Sequence, residues 1–295
     1  MSHPSGANEA NAVDRLCALV RGKTVVALTG AGLSTESGIP DYRSPESLAK
    51  TRRPIHGPEF VRSEATRRRY WARSALGWER MRSAEPNEGH RALAALERSG
   101  VVAHVITQNV DRLHRKGGSR KVTELHGALA EVTCLACGAV EDRDALQARM
   151  LALNPGWTHG SLGDRGSSTR DVPTAPDGDA ELPADRVERF LVPACVPCGG
   201  TLKPRVVFFG DGVPRPVVDE AFGATDAAQL LLVVGSSLAV FSGYRFLRRA
   251  VERGTPVAIV NRGPVRGEEH AALKIEASTG ATLDALARAL GTTRA

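Results

Sequence analysis

No stretch of the 295 residues stays apolar over the ~18 positions that a membrane-spanning helix needs. The first eleven residues are polar and nearly uncharged, without the basic start and apolar run of a secretory signal. Together these absences make the cytoplasm the expected address. A disulfide framework is missing too. The five cysteines are an odd number, and four of them form two Cys-x-x-Cys pairs, Cys134/Cys137 and Cys195/Cys198, leaving Cys17 alone on a leading helix. Charge is unbalanced in one place only. Residues 52–82 hold nine arginines against three glutamates, a surplus equal to the net +6 of the whole chain. Phe60, Tyr70, Trp71 and Trp78 interleave with these arginines. Such a mixture can bind single-stranded nucleic acid. A helix with rings inward and guanidiniums in water explains it more simply, so nucleic acid is not an expected partner.

A hydrophobic content of 42% is ample for a packed core. Thr24–Thr29 reads as a buried parallel strand, and Gly30-Ala31-Gly32 follows it where nucleotide-binding folds turn sharply. Two glycines one residue apart let backbone N–H groups approach a pyrophosphate without a Cβ in the way. Two parts of the dehydrogenase fingerprint are lacking, however. Thr35 stands where its third glycine belongs, and Lys50-Thr51-Arg52-Arg53 offers no acid to a ribose.

Further strands end in the same manner. Val101–Thr107 runs into Gln108-Asn109-Val110-Asp111, Leu230–Val234 into Gly235-Ser236-Ser237, and Pro256–Val260 into Asn261-Arg262-Gly263. Val122–Leu125 is a short strand, and Val206–Phe209 is expected to return the chain to the main sheet. Polar groups at the C-terminal ends of strands imply an α/β fold, a Rossmann-like doubly wound parallel sheet with a smaller zinc-binding and helical domain inserted. The expected boundaries are 1–43, 87–125 and 202–295 for the nucleotide domain, 44–86 for a helical lid, and 126–201 for a zinc module with a long loop at 160–183. Four cysteines with glycine directly after each pair predict one tetrahedral, closed and therefore structural zinc site.

Several of these stretches resemble the sirtuins, the NAD-dependent protein deacylases: the run from Gly30 to Arg43, with Ser34, Ile39 and Asp41 in place; Thr107 to His114; Glu124-Leu125-His126-Gly127; and the cysteine pairs. Tyr42 for phenylalanine is the one departure in the first run. The 57 residues between Cys137 and Cys195 resemble the second class of the family, which includes mitochondrial members. The resemblance implies a transferase that uses NAD as co-substrate and acylated-lysine proteins or peptides as partners, releasing nicotinamide and 2′-O-acyl-ADP-ribose.

By the same resemblance Gly30, Ala31, Gly32, Ser236 and Ser237 cradle phosphate, and Ile39 and Asp111 hold the nicotinamide carboxamide. The Tyr42 ring lies beside the reacting face, Gln108 and Asn109 meet ribose hydroxyls, Asn261 meets the adenosine ribose, and Ser34, Asp41, Arg43, Gly235, Arg262 and Gly263 also belong to the cofactor site. His126 and Asn109 are the catalytic pair, His126 as the general base, a task that suits an imidazole. His114 is expected to be structural. A protein mono-ADP-ribosyltransferase would use the same pocket and is the alternative. Tyr70 and Arg73 have the spacing that reads acidic acyl groups in some sirtuins but lie one helical turn out of place. Weak acetyl removal and no strong succinyl preference are therefore expected, with larger or branched acyl chains accepted if the loop at 160–183 reaches the cleft. No feature of the sequence sets an oligomeric state.

Overall fold

The computed structural model describes residues 4–42, 54–157 and 187–292, with side chains from residue 11 onward. Arg43, the first ten residues of the expected lid, and the 160–183 loop lie outside the described residues. The chain divides into two compact units, residues 1–43, 85–125 and 213–295, and residues 44–84 and 126–212. No helix among the described residues is long and apolar enough to cross a membrane.

The first unit is built on six parallel strands, β1 (Val25–Thr29), β2 (Val102–Thr107), β3 (Val122–Glu124), β7 (Leu230–Val234), β8 (Val257–Val260) and β9 (Leu273–Ile275), in the order β3-β2-β1-β7-β8-β9. The sequence reading missed β9, whose three residues are too few to show a period. Both faces of the sheet are covered, and the strands read as unbroken apolar runs for that reason. Val25 and Ala27 of β1 pack with Leu16, Leu93 and Leu283, which come from α1 (Pro4–Val20), α4 (Glu88–Arg98) and α9 (Thr279–Ala289). Val26 and Leu28 face the opposite cluster with Ala221 and Phe246, from α7 (Arg215–Ala227) and α8 (Phe241–Glu252). This is a doubly wound sheet. Its strand order reverses between β1 and β7, and register pairs Thr29 with both Thr107 and Val234, and Val234 with Val260. The chain segments that begin at residues 30, 108, 235 and 261 therefore leave the sheet side by side.

Two histidines brace this edge from behind. α4 begins with a capping box in which Asn87 Oδ1 accepts from the backbone of Gly89 and His90, while the Asn87 backbone N–H donates to His90 Nδ1. The short helix α5 (Leu113–Lys116) presents His114, whose Nε2 lies 2.8 Å from Thr29 Oγ1 at the end of β1. The two rings meet edge to face at 4.9 Å. Burial holds His114 neutral, with its pKa lowered to about 3, and lowers that of His90 as well. Cys17 is buried on α1.

The second unit joins the helical insertion to the cysteine-bearing segment. Its antiparallel sheet has the order β5-β4-β6, with β4 (Gly127–Cys134), β5 (Val140–Asp142) and β6 (Leu202–Val206). This corrects the expectation for 202–211. β6 pairs antiparallel with β4 and does not rejoin the parallel sheet, and only from Val213 does the chain belong to the first unit again. An apolar strand shows its own period but not its partner, and the four-residue run Val206–Phe209 carries no signal for sheet membership.

Helices α2 (Gly57–Arg62) and α3 (Glu64–Ser83) carry the basic segment, and its rings do turn inward: Phe60, Tyr70, Trp71 and Trp78 are all buried. Arg143 opens α6 (Arg143–Leu153) and is buried between Trp71 and Trp78, its guanidinium carbon 5.6 and 5.0 Å from the ring centroids. It donates to Gln147 Oε1 at 2.7 Å and to the carbonyl of Ser74 at 3.2 Å. Burial lowers its pKa to about 10, so it remains a cation at neutral pH. Trp78 Nε1 in turn donates to Asp144 at 2.6 Å.

The four paired cysteines bring their sulfurs within 4.8 Å of one another. The Cys134–Cys198 and Cys137–Cys195 separations are 3.5 and 3.8 Å. These exceed a disulfide's ~2.05 Å, and a zinc ion with ~2.3 Å bonds to sulfur would space tetrahedral ligands by roughly 3.8 Å. Gly138 and Gly199 adopt φ of +72° and +71°, completing the two knuckles, and the Ala136 N–H points at Cys134 Sγ from 3.4 Å. A side chain on Gly200 would stand 2.9 Å from Cys134 Sγ. The donor set and its spacing fit structural zinc.

Metal analysis of freshly purified protein should therefore find one zinc per chain. Cys134→Ser, Cys137→Ser, Cys195→Ser or Cys198→Ser should lose the metal and lower the melting temperature, with Cys17→Ser as the unaffected control. A zinc-free, fully stable wild type would contradict this. The buried histidines set a second expectation. A folded pKa below the unfolded ~6.5 means that the unfolded chain takes up protons first as the pH falls, so stability is lost on acidification. Between pH 7 and pH 5 His114 alone should cost about 2 kcal/mol. Denaturant melts at both pH values should show the loss, and His114→Gln should shrink it. An identical slope in the variant would refute the assignment.

Candidate functional site

The loops after β1 and β7 touch so closely that neither admits a side chain at the contact. A Cβ on Gly30 would lie 2.7 Å from Ser236 Cβ, and one on Gly32 would lie 2.9 Å from the carbonyl oxygen of Gly235. Gly235 itself has φ +59° and would drive a Cβ into the Leu33 backbone. The glycines are thus required by loop against loop. Their amides are also committed: Gly30 N–H donates to Val234 O at 3.1 Å, and Gly32 N–H to Gly235 O at 2.8 Å. This corrects the expectation that these two N–H groups reach a phosphate. Among the described residues the amides of Ala31, Ser236 and Ser237 have no acceptor within the protein, so the donors left for an anion are these three, on the two touching loops.

Ser34 and Asn109 are buried and Asp111 half-buried, and the three form one cluster. Ser34 Oγ donates to Asp111 Oδ2 at 2.6 Å and accepts from Asn109 Nδ2 at 3.1 Å, and the same amide group donates to Gly30 O at 3.1 Å. Asp111 Oδ1 takes the Leu113 N–H at 2.9 Å, capping the short turn. Burial pushes the Asp111 carboxyl above its usual range, and the bonds from Ser34 and Leu113 pull in the opposite direction. Gln108 Nε2 donates to Ser236 Oγ at 2.8 Å, tying the β2 edge to the β7 edge, and a side chain on Gly243 would collide with the Gln108 amide.

Ile39 is buried, Asp41 half-buried and Tyr42 45% exposed. Asn261 is buried, with its Nδ2 donating to the carbonyls of Arg262 and Gly263, so it shapes its own loop. Arg262 is exposed, and Gly263 has φ +79°. Gly30, Ala31, Gly32, Ser34, Gln108, Asn109, Asp111, Gly235, Ser236 and Ser237 are thus brought together at the β1–β7 switch point, where open α/β sheets leave a crevice.

His126 belongs to the second unit. It is half-buried just before β4, and its carbonyl accepts from the Val207 N–H at 2.9 Å. Tyr70 is consumed by an aromatic cluster with Phe60, Trp71 and Phe208 at 5.5, 5.0 and 5.3 Å, which sets it apart from a solvent-facing acid reader. Sequence reasoning expected a structural His114 but not its partner, and it missed the support from Asn87. Asn87 Nδ2 donates to Leu33 O at 2.7 Å, and His114 meets Thr29. A Pro-Asn pair before a helix signals the cap, but nothing local tells which loop that cap will hold.

Known proteins share these features. The chain matches the Sir2 family over residues 30–242. It is 48% identical over 264 residues to the human NAD-dependent protein lipoamidase sirtuin-4, mitochondrial, covering 88% of this chain and 81% of the relative. It is also 48% identical to NAD-dependent protein deacetylase 1 of Mycobacterium avium, covering 92% and 93%. A solved Sir2 with a p53 peptide and NAD+ superimposes with a TM-score of 0.72 at 29% identity, over 95% of this chain and 99% of that one. Another, holding a deacetylated p53 peptide and 3′-O-acetyl ADP-ribose, gives 0.74. With its parallel sheet, its paired glycine loops and its four-cysteine cluster, the chain belongs to the Sir2 family.

Proposed function

We propose that the protein is an NAD-dependent protein lysine deacylase, which cleaves nicotinamide from NAD and transfers the acyl group of a modified lysine to ADP-ribose. The observation that carries this reading is the Ser34–Asn109–Asp111 cluster beside three uncommitted amides, a site able to take a polar carboxamide and a pyrophosphate together. NAD supplies the good leaving group and, once nicotinamide departs, an electrophilic C1′.

The residues of this chain do the rest. The amides of Ala31, Ser236 and Ser237 receive the phosphates. Asp111 accepts from the carboxamide N–H₂, with Ile39 packed beside it. Asn109 and Gln108 orient the nicotinamide ribose. Asp41, Tyr42 and Arg43 shield the reacting face from water, and Asn261, Arg262 and Gly263 border the adenosine ribose. The acyl oxygen of the lysine captures C1′, and His126 takes the proton from the ribose hydroxyl that then attacks the acyl carbon. Zinc has no part in this, because four sulfurs close its coordination. The reading keeps the expected cytoplasmic address, which suits unpaired thiols, although the human relative's name places that protein in mitochondria.

Loss of the general base should lower turnover by ~10²-fold or more. His126→Ala is accordingly expected to bind NAD with wild-type affinity and to deacylate poorly. Mass spectrometry of the products separates the alternative. 2′-O-acyl-ADP-ribose from an acyl-lysine peptide supports deacylation, whereas a heavier, ADP-ribosylated protein supports mono-ADP-ribosyl transfer. For the acyl group itself, kcat/KM on one peptide carrying acetyl, succinyl and lipoyl groups should rank lipoyl first and show no succinyl preference. The lipoamidase name of the human relative and the burial of Tyr70 both support this order. A strong succinyl preference abolished by Arg73→Met would overturn it.

A further inference from the structure

Cations and rings meet on the first unit at the start of α8, outside that cluster. Phe241, the first residue of that helix, is 51% exposed, although a ring of its size is favoured out of water. The guanidinium carbons of Arg245 and Arg248 lie 5.5 and 5.9 Å from its centroid, and that of Arg266 lies 4.1 Å from the centroid of Tyr244. The two rings are 6.5 Å apart, which makes this one continuous patch. Carboxylates close by in sequence are already engaged. Glu268 holds Lys274 at 2.7 Å and the Val265 N–H at 2.8 Å, and Glu252 holds Arg248 at 3.2 Å. Among the described residues Arg245 and Arg266 have no carboxylate partner, and Arg245 Nε is buried without an acceptor. A guanidinium stacked on a ring keeps its N–H edge free and pre-oriented for a carboxylate.

The patch adjoins the phosphate loop directly. Arg266 N–H donates to Ser237 O at 2.9 Å, and only four residues, at most about 14 Å of chain, lead from Ser237 to Phe241. We propose that this surface receives an acidic segment of the acylated protein substrate, with aspartate or glutamate flanking the modified lysine. The proposal rests on the deacylase reading above. Single-stranded nucleic acid suits the patch less well, because two rings inclined at 60° offer no parallel platform for successive bases.

The test uses two peptides with the same acyl-lysine, one with flanking glutamates and one with glutamines, and compares wild type with the Arg245→Gln, Arg266→Gln double variant. At low ionic strength the glutamate peptide should have about fivefold higher kcat/KM. That ratio should fall to near one in the double variant and in high salt, while KM for NAD and kcat/KM for the glutamine peptide stay unchanged. Equal values in wild type, or a preference that survives the double variant, would overturn the proposal. Fluorescence anisotropy of the same peptides reads the surface apart from chemistry. A glutamate preference in binding with no turnover upholds the docking surface and counts against the deacylase reading instead, whereas equal affinities sink the docking surface. A single-stranded oligonucleotide that binds more tightly than the glutamate peptide, and is lost in the double variant, would reassign the patch to nucleic acid.

Discussion

The loops after β1 and β7 leave no room between them, and most of the site follows from that steric fact. Glycine at 30, 32 and 235 allows two backbones to meet where any Cβ would strike Ser236, Gly235 or Leu33. Contact at that distance spends the Gly30 amide on the end of β7 and the Gly32 amide on the loop after it, and sets those of Ala31, Ser236 and Ser237 apart as the unspent donors. On the proposed reading these amides would receive phosphate without a charged side chain, as donors oriented before any ligand arrives.

Rigidity behind the loops comes from buried or half-buried polar side chains that bond to one another and to the loop backbone, although among the described residues His90 Nε2 and His114 Nδ1 have no hydrogen-bond partner. Ser34, Asn109 and Asp111 close a small network whose members hold the Gly30 carbonyl and the Leu113 amide. Asn87 grips Leu33, and His114 grips Thr29. Desolvating a carboxylate is costly, and here Ser34 and Leu113 offset part of that cost with direct donors. The same desolvation keeps His114 neutral, because no carboxylate stands beside it to stabilise a cation.

The second unit solves a different problem, that of a small body with few strands. Its three-stranded sheet cannot bury much on its own. Four cysteine sulfurs spaced for one metal pin β4 and β6, and Arg143 between Trp71 and Trp78 joins α3 to α6. The described arginines of α2 and α3 lie half-buried or exposed on the outer side of this packing, and the rings they flank belong to the core of the unit.

Much of this was legible in the residues themselves. Apolar runs ending in Gly30-Ala31-Gly32, Gln108-Asn109-Val110-Asp111 and Gly235-Ser236-Ser237 identified the parallel sheet and its ligand edge, because strand period and strand-end chemistry are local properties. The cysteine spacing identified the metal for the same reason. Tertiary structure alone decided that β6 pairs with β4, that the Gly30 and Gly32 amides are spent on the end of β7 and the loop after it, that His114 buttresses β1, and that Asn87 holds the loop that follows β1. Each of these is a contact between segments tens to hundreds of residues apart. A local pattern states what a segment can offer, and only packing in three dimensions determines which partner takes it.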